Sequence, residues 1–244
     1  LVSLIRQDLV ISNLVAGFIT TIPLLFFAIG SVVSSRVGRI LGMERALLYA
    51  LFLIFFGILL RSFTATRGFF IGTALIGLGI ALGNVLVPAL IKQRFPMHMG
   101  LIIGIYSVSL TLMASVSVGI SYPLAVLNNT GWKKSLAIWA VMAALAILVW
   151  LPQVRKSKMD QGPFTNWQPK GRPEKSVYTS KLAWQITFFN GLQSLLFYCF
   201  IAWLPTIVQS GGLYQGSPGT LSLIYLLVSM PANFVIPVLC HRLR

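Results

Sequence analysis

The sequence predicts an all-α membrane protein with about seven spanning helices, and three observations carry that expectation. Of 244 residues, 57% are hydrophobic and only 9% are charged, with a mean hydropathy of +0.85. A soluble domain carries roughly 25% charged residues, so this chain lacks the means to clothe a water-facing surface. Apolar runs of bilayer-crossing length, roughly 20 residues, recur at 10–34, 46–63, 69–91, 99–126, 135–151, 182–204 and 219–240. The basic residues then alternate between the loops joining those runs: 14 fall on one side and 5 on the other. That positive-inside bias predicts that the richer side is cytoplasmic in a multi-pass plasma-membrane protein.

Topology therefore accounts for the formal net charge of +15, which in a soluble chain would raise nucleic acid as a partner. The expected surroundings are the lipid bilayer, with no nucleic acid.

Taken in order, the first run leads into Ser31–Arg39, read as a basic loop in which Gly38 allows a tight turn between Arg36 and Arg39. The second run carries Arg61 near its outer end, where the long side chain either snorkels to the headgroups or attracts anions at the outer mouth. The third contains Asn84 and Pro88. A helical proline lacks the N–H that would bond the carbonyl four residues back, and here that carbonyl belongs to Asn84. Within lipid a freed carbonyl needs a neighbour, a water or a cavity. Asn84 is thus read either as a partner for another helix at a packing kink or as a cavity-lining amide.

The fourth run holds Tyr106, the sixth Tyr198, each readable as a hydroxyl donor or a packing aromatic. The sixth also places Asn190 and Gln193 one turn apart on one face, near its predicted middle. The seventh repeats the Asn-to-Pro spacing at Asn233 and Pro237, a device that would let a helix bend. Asn84, Asn190, Gln193, Tyr106 and Tyr198 are accordingly the candidate substrate-binding residues. Arg36, Gly38, Arg39, Pro88, Asn233 and Pro237 are the candidate gating or structural ones.

The organisation is that of two unequal parts. Residues 1–152 hold five runs, 153–181 form a polar, basic linker with Gly162-Pro163, Pro169, Gly171 and Pro173, and 182–244 begin a second unit. Ser12–Pro23 and Thr220–Pro231 share a hydroxyl residue followed by an apolar run and a proline eleven residues on. Such repeats relate the halves of many secondary transporters. If each half has six helices, the chain carries helices 2–8 of twelve, and its non-Met start and its end inside a basic loop fit a piece of a longer protein.

Ser31-Val-Val-Ser-Ser-Arg-Val-Gly-Arg39 resembles the major facilitator superfamily motif between helices 2 and 3. Ser31 stands where that motif has Gly and Ser35 where it has Asp, while Arg36, Gly38 and Arg39 match. Gly131-Trp132 is similar to that superfamily at the start of helix 6. The stretches from Gly79 to Pro96 and from Ala183 to Pro205 resemble the branch that includes cyanate permeases and 2-nitroimidazole exporters. The resemblance implies a major facilitator superfamily fold and secondary active transport of a small solute by alternating access. It also implies that the third and sixth runs face a central cavity, and that Arg36 and Arg39 hold the halves together on the inner side.

No nucleophile with a nearby base, metal-ligand set or phosphate-binding glycine loop occurs, so neither an enzyme, nor a cofactor, nor a metal is expected. All four acids and both histidines lie in loops or at span ends. A coupling proton would need its relay outside these runs or through unusual groups. The alternative function is a channel or a receptor-like seven-helix protein.

Overall fold

The computed structural model describes residues 13–64, 66–126, 131–159, 180–212 and 218–242, with some side chains inside those helices left aside. These residues form seven long helices: α1 (Asn13–Leu41), α2 (Met43–Phe63), α3 (Thr66–Arg94), α4 (Met99–Val126), α5 (Gly131–Met159), α6 (Lys181–Ser210) and α7 (Pro218–Arg242). A 3-10 turn at Pro96–His98 joins α3 to α4. Each helix coincides with one apolar run and in most cases outlasts it, because a helix pairs its backbone groups within itself wherever it leaves the oily region. Five stretches, Thr21–Leu41, Met43–Phe63, Thr66–Arg94, Pro96–Ser121 and Trp132–Arg155, are long and apolar enough to cross a membrane. Large apolar side chains face outward, Ile40 at 80% and Val149 at 77% exposed, as suits a lipid solvent.

Two expectations change. Ser31–Arg39 is helical, since α1 continues to Leu41 and the chain reverses at Gly42, where φ is 83°, a region glycine enters without steric cost. Gly38 therefore makes no tight turn. It is buried against α3, where a Cβ would lie 2.6 Å from Leu86 Cδ2. The serines of this stretch are satisfied inside the helix: Ser31 Oγ donates to Phe27 O at 2.8 Å and Ser34 Oγ to Gly30 O at 2.6 Å. Likewise, the first residues of the expected linker belong to α5, which runs through Pro152 to Met159; residues 160–179 lie outside the described residues.

α3 lies between α1 and α2, and small residues set how closely. A Cβ at Gly77 would lie 2.5 Å from Pro23 O in α1, and one at Gly72 would lie 2.5 Å from Gly57 O in α2. Ala46, Leu47, Ala50, Leu82 and Leu86 form the buried cluster between α2 and α3. α5 packs on α2 and α4, with Ser135 Oγ donating to Ser121 O at 2.8 Å and Trp139 Nε1 to Ser121 Oγ at 3.2 Å.

α4 packs along α7. There Asn233 Nδ2 donates to Thr111 Oγ1 at 3.0 Å, and Thr111 Oγ1 donates in turn to Ser107 O at 3.0 Å. Asn233 thus serves as a bond between helices. Pro237 lies inside α7, but its side chain falls outside the described residues.

One end of the bundle carries Arg36, Arg39, Lys92, Arg94 and Arg155, and we call it the basic end. Arg36 and Arg39 are exposed there. Glu44, which the sequence places merely at a span end, is 2% exposed and its Oε1 accepts from Arg94 Nη2 at 2.7 Å. Trp150 Nε1 donates to Glu44 O at 2.9 Å, so α2, α3 and α5 are tied at one residue.

Candidate transport site

α3 runs unbroken through Pro88, with Asn84 one turn beyond its middle toward the basic end. Tyr106 Oη, on α4, donates to Asn84 Oδ1 at 3.2 Å. The two side chains line a cavity of about 270 Å³ whose other walls include Ile54, Gly83, Leu110 and Trp150. It opens among α2, α3, α4 and α5, in the half of the bundle nearer the basic end.

The local sequence explains the shape. Gly79 and Gly83 divide two tasks that their spacing makes look alike. A Cβ at Gly79 would lie 2.6 Å from Ile54 Cγ1, so this glycine lets α2 approach α3, whereas nothing lies within 4 Å of a Cβ at Gly83. Gly83 therefore leaves open space beside Asn84. The walls are otherwise almost wholly apolar, so the amide and the phenol are the groups that can orient a guest. Asn84 keeps its amide nitrogen as a donor while its oxygen is engaged, and Tyr106 keeps its oxygen lone pairs as acceptors. Together they offer a donor and an acceptor side by side with no fixed charge.

The other predicted site residues lie elsewhere. Asn190, Gln193 and Tyr198 are exposed along α6, whose main neighbour is α7. They do not meet Asn84. Tyr198 packs its ring edge-on to Phe197 at 5.6 Å. Arg61 is half-buried at the end opposite the basic one, with its guanidinium carbon 4.9 Å from the centroid of the Phe69 ring. Thr111 escaped notice in the sequence because one hydroxyl in an apolar helix gives no periodic signal; its partner Asn233 was the available clue. Among the described residues no group of His, Cys, Asp and Glu is arranged to hold a metal.

Long apolar helices around a polar pair within their span define a multi-pass helical membrane protein. Over residues 1–244 the chain matches the Major Facilitator Superfamily, and it belongs to that family. It is 42% identical over 243 residues to the uncharacterized transporter YycB of Bacillus subtilis, an alignment covering 100% of this chain and 59% of that protein. It is 38% identical over 244 residues to the 2-nitroimidazole transporter of Escherichia coli, covering 100% and 61%. To the cyanate transport protein CynX of Escherichia coli it is 27% identical over 224 residues, covering 91% and 56%. The chain thus spans about three fifths of the length of these curated relatives. No solved structure matches it significantly.

Proposed function

We propose that the full-length protein is a secondary active transporter that carries a small polar or weakly anionic solute across the plasma membrane by alternating access. The solute class is that named for the relatives, cyanate-like or nitroimidazole-like, and the basic end faces the cytoplasm. The observation that carries the reading is the exposed Tyr106–Asn84 pair beside an otherwise apolar cavity among the long apolar helices. A compact neutral solute with one donor and one acceptor, or a small anion of low hydration, pairs with these groups and leaves its apolar faces against Ile54 and Leu110. Asn190, Gln193 and Tyr198 complete the path from α6 once the remaining helices of the full protein are in place.

Arg36 and Arg39 are the residues we assign to holding the halves at the cytoplasmic side. Pro88 and Pro237 give α3 and α7 a bend that alternating access can use, with Asn233 holding α7 to α4. A proton coupled to this movement would be carried by residues outside the described helices.

Transport kinetics on the full-length protein in vesicles test the reading, with cyanate, nitroimidazoles and other small solutes screened. Asn84→Ala, Asn190→Ala and Gln193→Ala are each expected to raise KM, with Tyr106→Phe the milder variant. Losing one neutral hydrogen bond costs about 0.5–1.5 kcal/mol, which corresponds to a severalfold to roughly tenfold weakening. Wild-type KM and rate in all three amide variants, for every transported solute, would reduce these amides to packing groups.

A further inference from the structure

At the end of the bundle opposite the basic one, the last turn of α2 holds two side chains that the fold leaves unsatisfied. Arg61 Nε and Ser62 Oγ are the buried side-chain polar atoms without a hydrogen-bond partner among the described residues. An arginine offers donors and no acceptor, so only a lone pair answers it, and none of the described residues supplies one to Nε. The one acidic side chain in the described residues, Glu44, is at the far end of α2 and is engaged by Arg94.

Arg61 is also held in place. Its guanidinium lies over Phe69, a fully buried ring that meets Trp132 edge-on at 5.8 Å and 82°. Lys133 Nζ lies 5.3 Å from the Trp132 ring centroid. Two cations thus flank one aromatic pair across α2, α3 and α5. A side chain that snorkelled freely to the headgroups would carry its guanidinium out to water. This one spends its length along an aromatic face, with its Nε sealed from solvent.

The geometry points to a binding site for a small, weakly hydrated monoanion, of the halide or pseudohalide class, at Arg61. A guanidinium is itself weakly hydrated and makes charge-assisted bonds that are about twice as strong as neutral ones. Half-buried among rings, it favours an anion that sheds water readily over a strongly hydrated dianion. Lys133 adds charge from the neighbouring helix and raises the local anion concentration. The site is separate from the Asn84–Tyr106 pair and does not depend on it.

The test uses the full-length protein in phosphatidylcholine nanodiscs, with chloride as the probe. Chloride-35 linewidths are measured against protein concentration, followed by competition with thiocyanate. Saturable excess broadening that thiocyanate displaces is expected. Arg61→Gln is expected to weaken chloride binding about tenfold or more, while Arg67→Gln, at an exposed neighbour, leaves it unchanged. Should Arg61→Gln fail to fold, Arg61→Lys keeps the charge without the fork and is expected to bind severalfold more weakly. Absence of saturable broadening, full binding in a folded Arg61→Gln or Arg61→Lys variant, or equal loss in Arg67→Gln would overturn the assignment. Because the readout is equilibrium binding, its failure leaves the amide-based transport reading standing, and the reverse holds too.

Discussion

Arg94, in the last turn of α3, closes a 2.7 Å ion pair on Glu44, in the first turn of α2. Each charge also sits at the helix end whose dipole favours it, the acid at an N-terminus and the base at a C-terminus. The Glu44 side chain is 3% exposed and the Arg94 side chain 34%, so the acid depends on its partner more than the base does. Arg94→Gln should therefore destabilise the protein more than Glu44→Gln, the first by about 1.5–3 kcal/mol, the usual worth of a hydrogen bond to a charged group. Thermal unfolding of the full-length variants in detergent checks the order. Equal midpoints for both variants and wild type would remove the pair from the stability account.

The Tyr106–Asn84 bond makes a prediction about coupling. Tyr106→Phe frees Asn84 Oδ1, and Asn84→Ala leaves the phenol without its acceptor, so either change removes the same interaction. The double variant should then lose less in transport affinity than the sum of the singles, by about 0.5–1.5 kcal/mol. A double-mutant cycle on KM reads this directly, and strict additivity would mean that the two residues act independently.

Glycine substitutions should separate packing from openness. Gly72→Ala drives a methyl group toward the Gly57 carbonyl, which cannot move without shifting α2, and overpacking of this kind costs about 1–3 kcal/mol. Gly83→Ala meets no atom within 4 Å, so it should leave stability alone while reducing the space beside Asn84. Midpoints of unfolding and KM, measured on both, should move in opposite patterns.

Between α4 and α7, Thr111→Val removes the acceptor of Asn233 at nearly constant volume. Side-chain hydrogen bonds between membrane helices average about 0.6 kcal/mol and reach about 1.7, so a small loss of stability is expected. Asn233→Leu should cost about the same, and the pair of changes little more than either alone. Large, additive losses would show that the two residues work through different neighbours.

The helices were legible from the sequence because composition and run length decide them before any detail does. Over the described residues, each of the seven apolar runs lies within one helix. Several of the ends were not legible. Ser31–Arg39 carries serines and a glycine, the residues of turns, yet in a helix the same hydroxyls bond the carbonyl four residues back and the same glycine admits Leu86. Local chemistry permits both outcomes, and packing against α3 selects the helix. Asn84 announced itself as a polar group in an oily run, and Tyr106 was named as a hydroxyl, but their meeting depends on how α3 and α4 are rotated, which no spacing encodes. Glu44 lies at a helix end as the sequence places it, but its burial was not legible: position along a helix gives depth, whereas burial depends on Arg94 and Trp150 arriving from other helices.

The hydroxyls bonded within their own helices bear on how this protein is made. Thr73 donates to Phe69 O, Ser109 to Ile105 O, Ser115 to Thr111 O and Thr187 to Ala183 O, just as Ser31 and Ser34 do in α1. A nascent segment carrying such a residue leaves the translocon with that polar group already answered, so it can wait alone in lipid for its neighbours to be synthesised. The bonds that cross between helices, Tyr106 to Asn84 and Asn233 to Thr111 among them, have no such independence. They form only at assembly, and errors of biogenesis should fall on them first.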